Sequence, residues 1–132
     1  MSLVFVVDDN PEHLKMLAKV ATKTVGEDGE VEQFTNALDL LHRICDEGKT
    51  PDLLILDYML PDIDGLKALR ILRSKGVKSK AMIVSAYLRE INEKLVPSNN
   101  VSLVVTKPYS LVKLAEEIAK SLGMKVEVAN GA

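Results

Sequence analysis

Residues 3–14 read LVFVVDDNPEHL: five apolar side chains, Leu3 to Val7, run straight into Asp8, Asp9, Asn10 and Pro11. An apolar run without polar alternation, bounded by turn residues, is what a strand buried on both faces requires. Asn10 can cap a following helix and Pro11 suits its first turn. Leu14, Leu17, Ala18 and Ala21 then recur at helical spacing. The stretch therefore reads as strand, turn and helix. Its anomaly is the acid pair, because adjacent carboxylates repel and each costs free energy when withdrawn from water unpaired. Either the strand ends in an ordinary capped turn, or the two acids jointly attract something positive.

The same unit recurs along the chain. EVEQFT, residues 30–35, alternates as an edge strand does, and precedes a helix from about Asn36 to Glu47. That helix has Ala37, Leu40, Leu41, Ile44 and Cys45 on its apolar face, with Gly48 as its stop. DLLILDYML, residues 52–60, places Asp57 where a third apolar run ends. Asp64 can cap the helix GLKALRILRSK, which Gly76 closes. AMIVSAY is a fourth strand running into Ser85, and LREINEKLV, residues 88–96, is a weaker helix ending at Pro97. VSLVV is a fifth strand leading to Thr106, Lys107 and Pro108, and a last helix runs from Ser110 as LVKLAEEIAKSL to Gly123. Five strands alternating with five helices through short connections predict an α/β fold, a doubly wound parallel sheet with helices on both faces.

Composition bounds the rest. At 132 residues the chain reads as one domain, residues 1–132, with a core over about 3–122 and a C-terminal tail at 123–132. It is 47% hydrophobic and 27% charged with a net charge of −2, which gives no basic excess for nucleic acid to read. No apolar run approaches the roughly 18 residues that span a bilayer, and no secretory leader is visible. The expected location is the cytoplasm, where the single Cys45 reads as a small core residue.

All strands of a parallel sheet point the same way, so their C-terminal ends share one edge, where ligands bind in open α/β sheets. This sequence places Asp8 and Asp9, Asp57, Ser85 and Lys107 at those ends. Three carboxylates gathered there call for a cation, and hard oxygen ligands suit Mg²⁺. The ammonium and the hydroxyl add donors for an oxyanion. Metal, ammonium and hydroxyl around one carboxylate suit phosphoryl transfer, with the carboxylate as nucleophile.

The acids of VVDDN, the LILDYMLPDIDG stretch, the VSA triplet and the TKPY stretch, in this order and spacing, resemble a response-regulator receiver domain of the chemotaxis-response-regulator type. The resemblance covers nearly the whole chain, and four motifs in register make it specific. It implies a flavodoxin-like strand order of 2-1-3-4-5. It implies that Asp57 is the phosphoacceptor, served by a histidine kinase, a histidine phosphotransfer protein or a small phosphodonor. It implies that Asp9, Asp57 and the backbone carbonyl of Met59 bind Mg²⁺, with Asp8 acting through a water. Lys107 would pair with Asp57 and its phosphoryl oxygens, and Ser85 would move to bond the phosphoryl group. The Lys107–Pro108 bond would be cis, and Gly65 matches the family's small residue where the third helix begins.

Four positions depart from the family or tune it. Val104 stands where many receivers carry an aromatic switch, which puts the family's usual output coupling in question and makes the short fourth helix, ending at Pro97, the alternative route. Tyr109 follows Pro108 where the family usually has Phe and reads as packing. Met59 and Tyr87, two residues after Asp57 and Ser85, would flank the phosphoryl group and shield it from hydrolysis. Asp62 and Asp64 read as turn and cap residues, His13 and His42 as helix-surface residues, and Lys75, Lys78 and Lys80 as solvated surface.

The expected function is that of a phosphorylation-controlled switch in a two-component phosphorelay. It would not be principally an enzyme, having only self-catalysed phosphotransfer and dephosphorylation. It stands alone or is excised from a longer protein, with an unknown output partner or appended output domain and no direct nucleic-acid or membrane binding. Two alternatives are a pseudo-receiver that binds partners without phosphorylation and an Asp-nucleophile phosphohydrolase. The second lacks the further Asp two residues after Asp57. A flavin carrier on the same topology fits poorly, because DDNPEH would repel phosphate.

Overall fold

A computed structural model of the chain describes residues 2–85, 101–106 and 110–124. The elements are β1 (Leu3–Val7), α1 (Pro11–Val25), β2 (Glu30–Phe34), α2 (Ala37–Leu41), β3 (Leu53–Asp57), α3 (Gly65–Ser74), β4 (Lys80–Ser85), β5 (Val101–Thr106) and α4 (Leu111–Ser121). A π-helical turn, His42–Asp46, continues α2. The sequence pattern carries a regular helix through these residues and holds no sign of the wider turn. The helix expected at 88–96 lies outside the described residues, as does the tail beyond Met124.

The strands are parallel and run in the order β2-β1-β3-β4-β5. Side chains are described for the first four, and β5 is described as backbone, with Ser85 opposite Thr106 and Ile83 opposite Val104. β3 is buried throughout, and β1 and β4 are buried except at their first residues. Alternation sends Val4, Val6, Leu53, Ile55, Met82 and Val84 to one face, against α1 and α4. Phe5, Val7, Leu54, Leu56, Ala81 and Ile83 go to the other, against α2 and α3. Each uninterrupted apolar run thus feeds two cores. Cys45 packs half-buried against the α2/α3 core, as its place on the apolar face predicts.

β2 is the edge strand, and its alternation is put to use. Phe34 lies 5.0 Å, ring to ring, from Phe5. On the same face of the pleat, Arg43 donates from Nε to Glu32 Oε1 at 2.9 Å and from Nη2 to Oε2 at 3.2 Å. Lys49 Nζ lies 3.2 Å from Glu30 and 3.1 Å from Glu32. Charged side chains paired along an edge strand of this kind disfavour its pairing with another chain.

The Arg43 hydrogen bond holds the Glu32 carboxyl below the usual carboxylate range, against partial burial that pushes it up, and Lys49 adds to the lowering. A carboxyl depressed in the folded state stabilises above its unfolded pKa and loses that contribution as pH falls through the folded value. Glu32→Gln is therefore expected to lower the melting temperature at pH 7. It also flattens the acid limb of the melting curve below about pH 4.5, where wild type declines. A calorimetric pH series checks both.

Candidate metal centre at the C-terminal edge of the sheet

The apolar runs end in register. Val7 lies opposite Leu56, Asp57 opposite Val84, and Ser85 opposite Thr106, so the residues that close the strands stand side by side. Val6 and Ile55 both pack in the α1/α4 core. Two residues on, pleat alternation therefore carries Asp8 and Asp57 to that same side. One carboxylate oxygen from each of Asp8, Asp9 and Asp57 lies within 4.8 Å of the others. The sequence placed these three acids on one edge, and the structure brings them into one cluster.

Asp8 is fully buried and Asp57 is 5% exposed, while Asp9 faces solvent. The backbone of Asp8 continues the β1–β2 ladder, donating its N–H to the Phe34 carbonyl at 3.1 Å. Its Oδ1 accepts from the Asn10 amide at 2.9 Å, and His13 Nδ1 lies 3.9 Å from its Oδ2. Asn10 Oδ1 in turn accepts from the Glu12 and His13 amides and caps α1 behind Pro11. Asp57 Oδ1 accepts from the Met59 amide at 3.3 Å. Ser85 is buried at 1% exposure in the last position of β4. Lys107, Tyr87, Tyr109 and the Lys107–Pro108 bond lie outside the described residues, and Val104 is described only by its backbone.

The donor set fits Mg²⁺. Carboxylates are the hard ligands that ion takes, and oxygens set octahedrally at roughly 2.1 Å from it stand roughly 3–4 Å apart, within the spread of this cluster. Two of the three acids are withdrawn from water, where paired negative charge needs a cation most. The exposed side of Asp9 leaves room for the waters Mg²⁺ retains.

The loop after Asp57 is held from several directions. The Tyr58 amide donates to the Val84 carbonyl at 2.9 Å, and the Gly65 amide to the Tyr58 carbonyl at 2.7 Å. That second contact brings α3 so near β3 that a Cβ on Gly65 would meet the Asp57 carbonyl oxygen at 2.2 Å. Asp64 caps α3, accepting from the Lys67 amide at 2.7 Å. Asp62 caps a different helix from the one that follows it. Its Oδ1 accepts from the Ala37 amide at 3.0 Å and its Oδ2 from Leu38 at 2.7 Å, at the start of α2. Burial pushes the Asp62 carboxyl up, but amide donors led by Ala37 and Leu38 outweigh it and hold it below the usual range. Sequence reading put Asp62 in a turn or cap; nothing in its neighbours pointed to a partner 25 residues away.

A family model of the response regulator receiver domain matches residues 4–119. The chain is 34% identical over 116 residues to the transcriptional regulatory protein TrcR of Mycobacterium tuberculosis, covering 87% of this chain and 43% of TrcR. It is 33% identical over 132 residues to protein-glutamate methylesterase/protein-glutamine glutaminase 5 of Myxococcus xanthus, covering 98% of this chain and 37% of that one. The chain thus spans less than half the length of these two relatives. Among solved structures, a CheY-like response regulator receiver domain protein from Methanospirillum hungatei superposes with a TM-score of 0.80 at 24% identity, over 93% of this chain and 94% of that one.

Two substitutions test the geometry. Gly65→Ala is expected to destabilise the fold by about 1–3 kcal/mol, the usual range for overpacking against a backbone that cannot give way. Asp9→Asn removes one of three clustered charges at the exposed position, and is expected to raise the stability of the metal-free protein by roughly 1 kcal/mol. It should also shrink the stabilisation that added Mg²⁺ confers. Urea unfolding with and without Mg²⁺ reads both effects.

Proposed function

Because the chain belongs to the response regulator receiver domain family, whose members act as signalling switches, we propose that it is the phosphoacceptor module of a two-component phosphorelay, with Asp57 as the acceptor. The observation that carries this reading is the three-carboxylate cluster built around Asp57 at the edge of the sheet. A histidine kinase or a histidine phosphotransfer protein supplies the phosphoryl group. An Asp57 carboxylate oxygen forms the new bond to phosphorus as the P–N bond of the donor phosphohistidine breaks, and the released imidazole nitrogen takes up a proton.

Asp9, Asp57 and the backbone carbonyl of Met59 would hold Mg²⁺, with Asp8 acting on it through a water. When bound, the ion neutralises charge that builds on the transferring phosphoryl oxygens. Asp8, buried and held by the Asn10 amide, keeps its carboxylate oriented toward the cluster. Lys107 pairs with Asp57 and then with the phosphoryl oxygens, a role carried by the family resemblance. Ser85, closing β4 next to Asp57, gives its hydroxyl to a phosphoryl oxygen and draws the following loop with it. Met59, whose side chain is 54% exposed at the rim, and Tyr87 shield the aspartyl phosphate, since neither orients an attacking water.

The output is a change in the surface shown to a partner or to an appended output domain. The chain does not act principally as an enzyme, and this segment itself contacts neither nucleic acid nor membrane. Among the described residues no helix is long and apolar enough to cross a membrane, and the proposed location is the cytoplasm.

Intact mass spectrometry after incubation with acetyl phosphate and Mg²⁺ tests this directly. One phosphoryl adduct is expected, absent from Asp57→Asn and from a sample treated with chelator. A folded wild-type chain that takes no adduct and binds no beryllofluoride would instead be a phosphorylation-independent binding module. Met59→Asn and Tyr87→Ala are each expected to speed loss of the adduct several-fold; unchanged decay would remove the shielding role.

A further inference from the structure

The connection between β3 and α3 carries Met59 and leads straight out of Asp57, yet residues 59–62 lie at the surface or only partly buried. Two hydrogen bonds, which Asp62 accepts from Ala37 and Leu38, tie its middle to α2. Ala37 donates to one carboxylate oxygen and Leu38 to the other, so the group is fixed in orientation as well as place. Carboxylate and helix start also suit one another electrostatically. The segment between Asp62 and Met59 is stiff for its length: Pro61 locks its own φ and biases Leu60 to extended backbone. Leu60 is pressed against the α2/α3 core as well.

We propose that Asp62 is a positioning residue for the metal centre, clasping the β3–α3 loop to the start of α2 so that the Met59 backbone is held ready beside the three carboxylates. The inference rests on the reading of the cluster as a Mg²⁺ site. It extends that reading to a residue outside the ligand set, and to α2, which otherwise has no part in it. Coupling of this kind is reciprocal. If the clasp holds the loop for the ion, then the ion must tighten the clasp, and the Ala37 and Leu38 amides should become slower to exchange when Mg²⁺ is added.

A purely structural cap would account for the same two hydrogen bonds, and α2 supplies its own control. Asn36 accepts from the Asp39 amide at 2.8 Å and caps the same first turn from within its own chain segment, its partners Thr35 and Asp39 lying outside the β3–α3 loop. The experiment is a Mg²⁺ titration followed by amide NMR, with hydrogen exchange in the presence and absence of the ion, on wild type, Asp62→Ala, Asp62→Asn and Asn36→Ala. Asp62→Ala is expected to weaken Mg²⁺ binding about tenfold or more, as loss of an outer partner of a metal site does. Asp62→Asn, which keeps one acceptor, should weaken it less. Asn36→Ala should leave affinity unchanged even as it lowers stability. Wild type, but not Asp62→Ala, should show Mg²⁺-dependent protection at Ala37 and Leu38. Should Asp62→Ala fail to fold, Asp62→Asn set against Asn36→Ala gives the same comparison.

Equal affinity in wild type and the Asp62 variants would overturn the inference while leaving the metal site standing, and so would a matching loss in Asn36→Ala. A wild-type chain that binds no Mg²⁺ would overturn the reading of the site, and this inference with it.

Discussion

Negative charge held out of water is the constraint around which this fold is arranged. Asp8 and Asp57 are both nearly or fully buried and stand within 4.8 Å of each other and of Asp9, oxygen to oxygen. Such a cluster is unfavourable for folding, and hydrogen bonds help to offset it: the Asn10 amide serves Asp8 and the Met59 amide serves Asp57. The hard oxygen donors gathered there suit a small, hard cation. The rest of the molecule supplies apolar burial on two faces of one sheet, which sets the strands that carry the acids side by side.

The two cores divide the labour unequally. On the α1/α4 face, the alternation that buries Val6 and Ile55 also delivers Asp8 and Asp57, so the packing layer and the acid cluster share one register. A slip of one residue in the pairing of β1 with β3 would turn one carboxylate to the opposite face. On the α2/α3 face, the close approach of Gly65 to the Asp57 carbonyl and the clasp of Asp62 on α2 set the path of the loop that leaves the cluster. On the edge strand β2, Arg43 pairs with Glu32, and Lys49 with Glu30 and Glu32.

Much of this was legible in the chain itself. Unalternating runs at Leu3–Val7 and Leu53–Leu56 announce strands buried on both sides, and EVEQFT announces an edge, because period and polarity follow from which faces meet water. Asn10, Asn36, Asp64 and Ser110 announce helix starts and cap them in the structure. The acids were legible as a group because a parallel sheet sends every strand end to one edge, so local pattern alone implies their convergence.

Other features answer to contacts that no local pattern encodes. Asp62 lies in a loop and meets amides 24 and 25 residues earlier; only the packing of α2 beside α3 brings them together. The π turn at His42–Asp46 interrupts a stretch whose periodicity is that of an ordinary helix. The need for glycine at position 65 arises from a backbone contact with Asp57, without any positive φ to mark it. The sequence by itself determined the layers, the strand direction and which acids share an edge, since these depend on side-chain period and chain connectivity. Tertiary structure alone decided the distances within the cluster, the burial of two of its three members and the anchoring of the loop beside it, because each depends on how separate elements settle against one another.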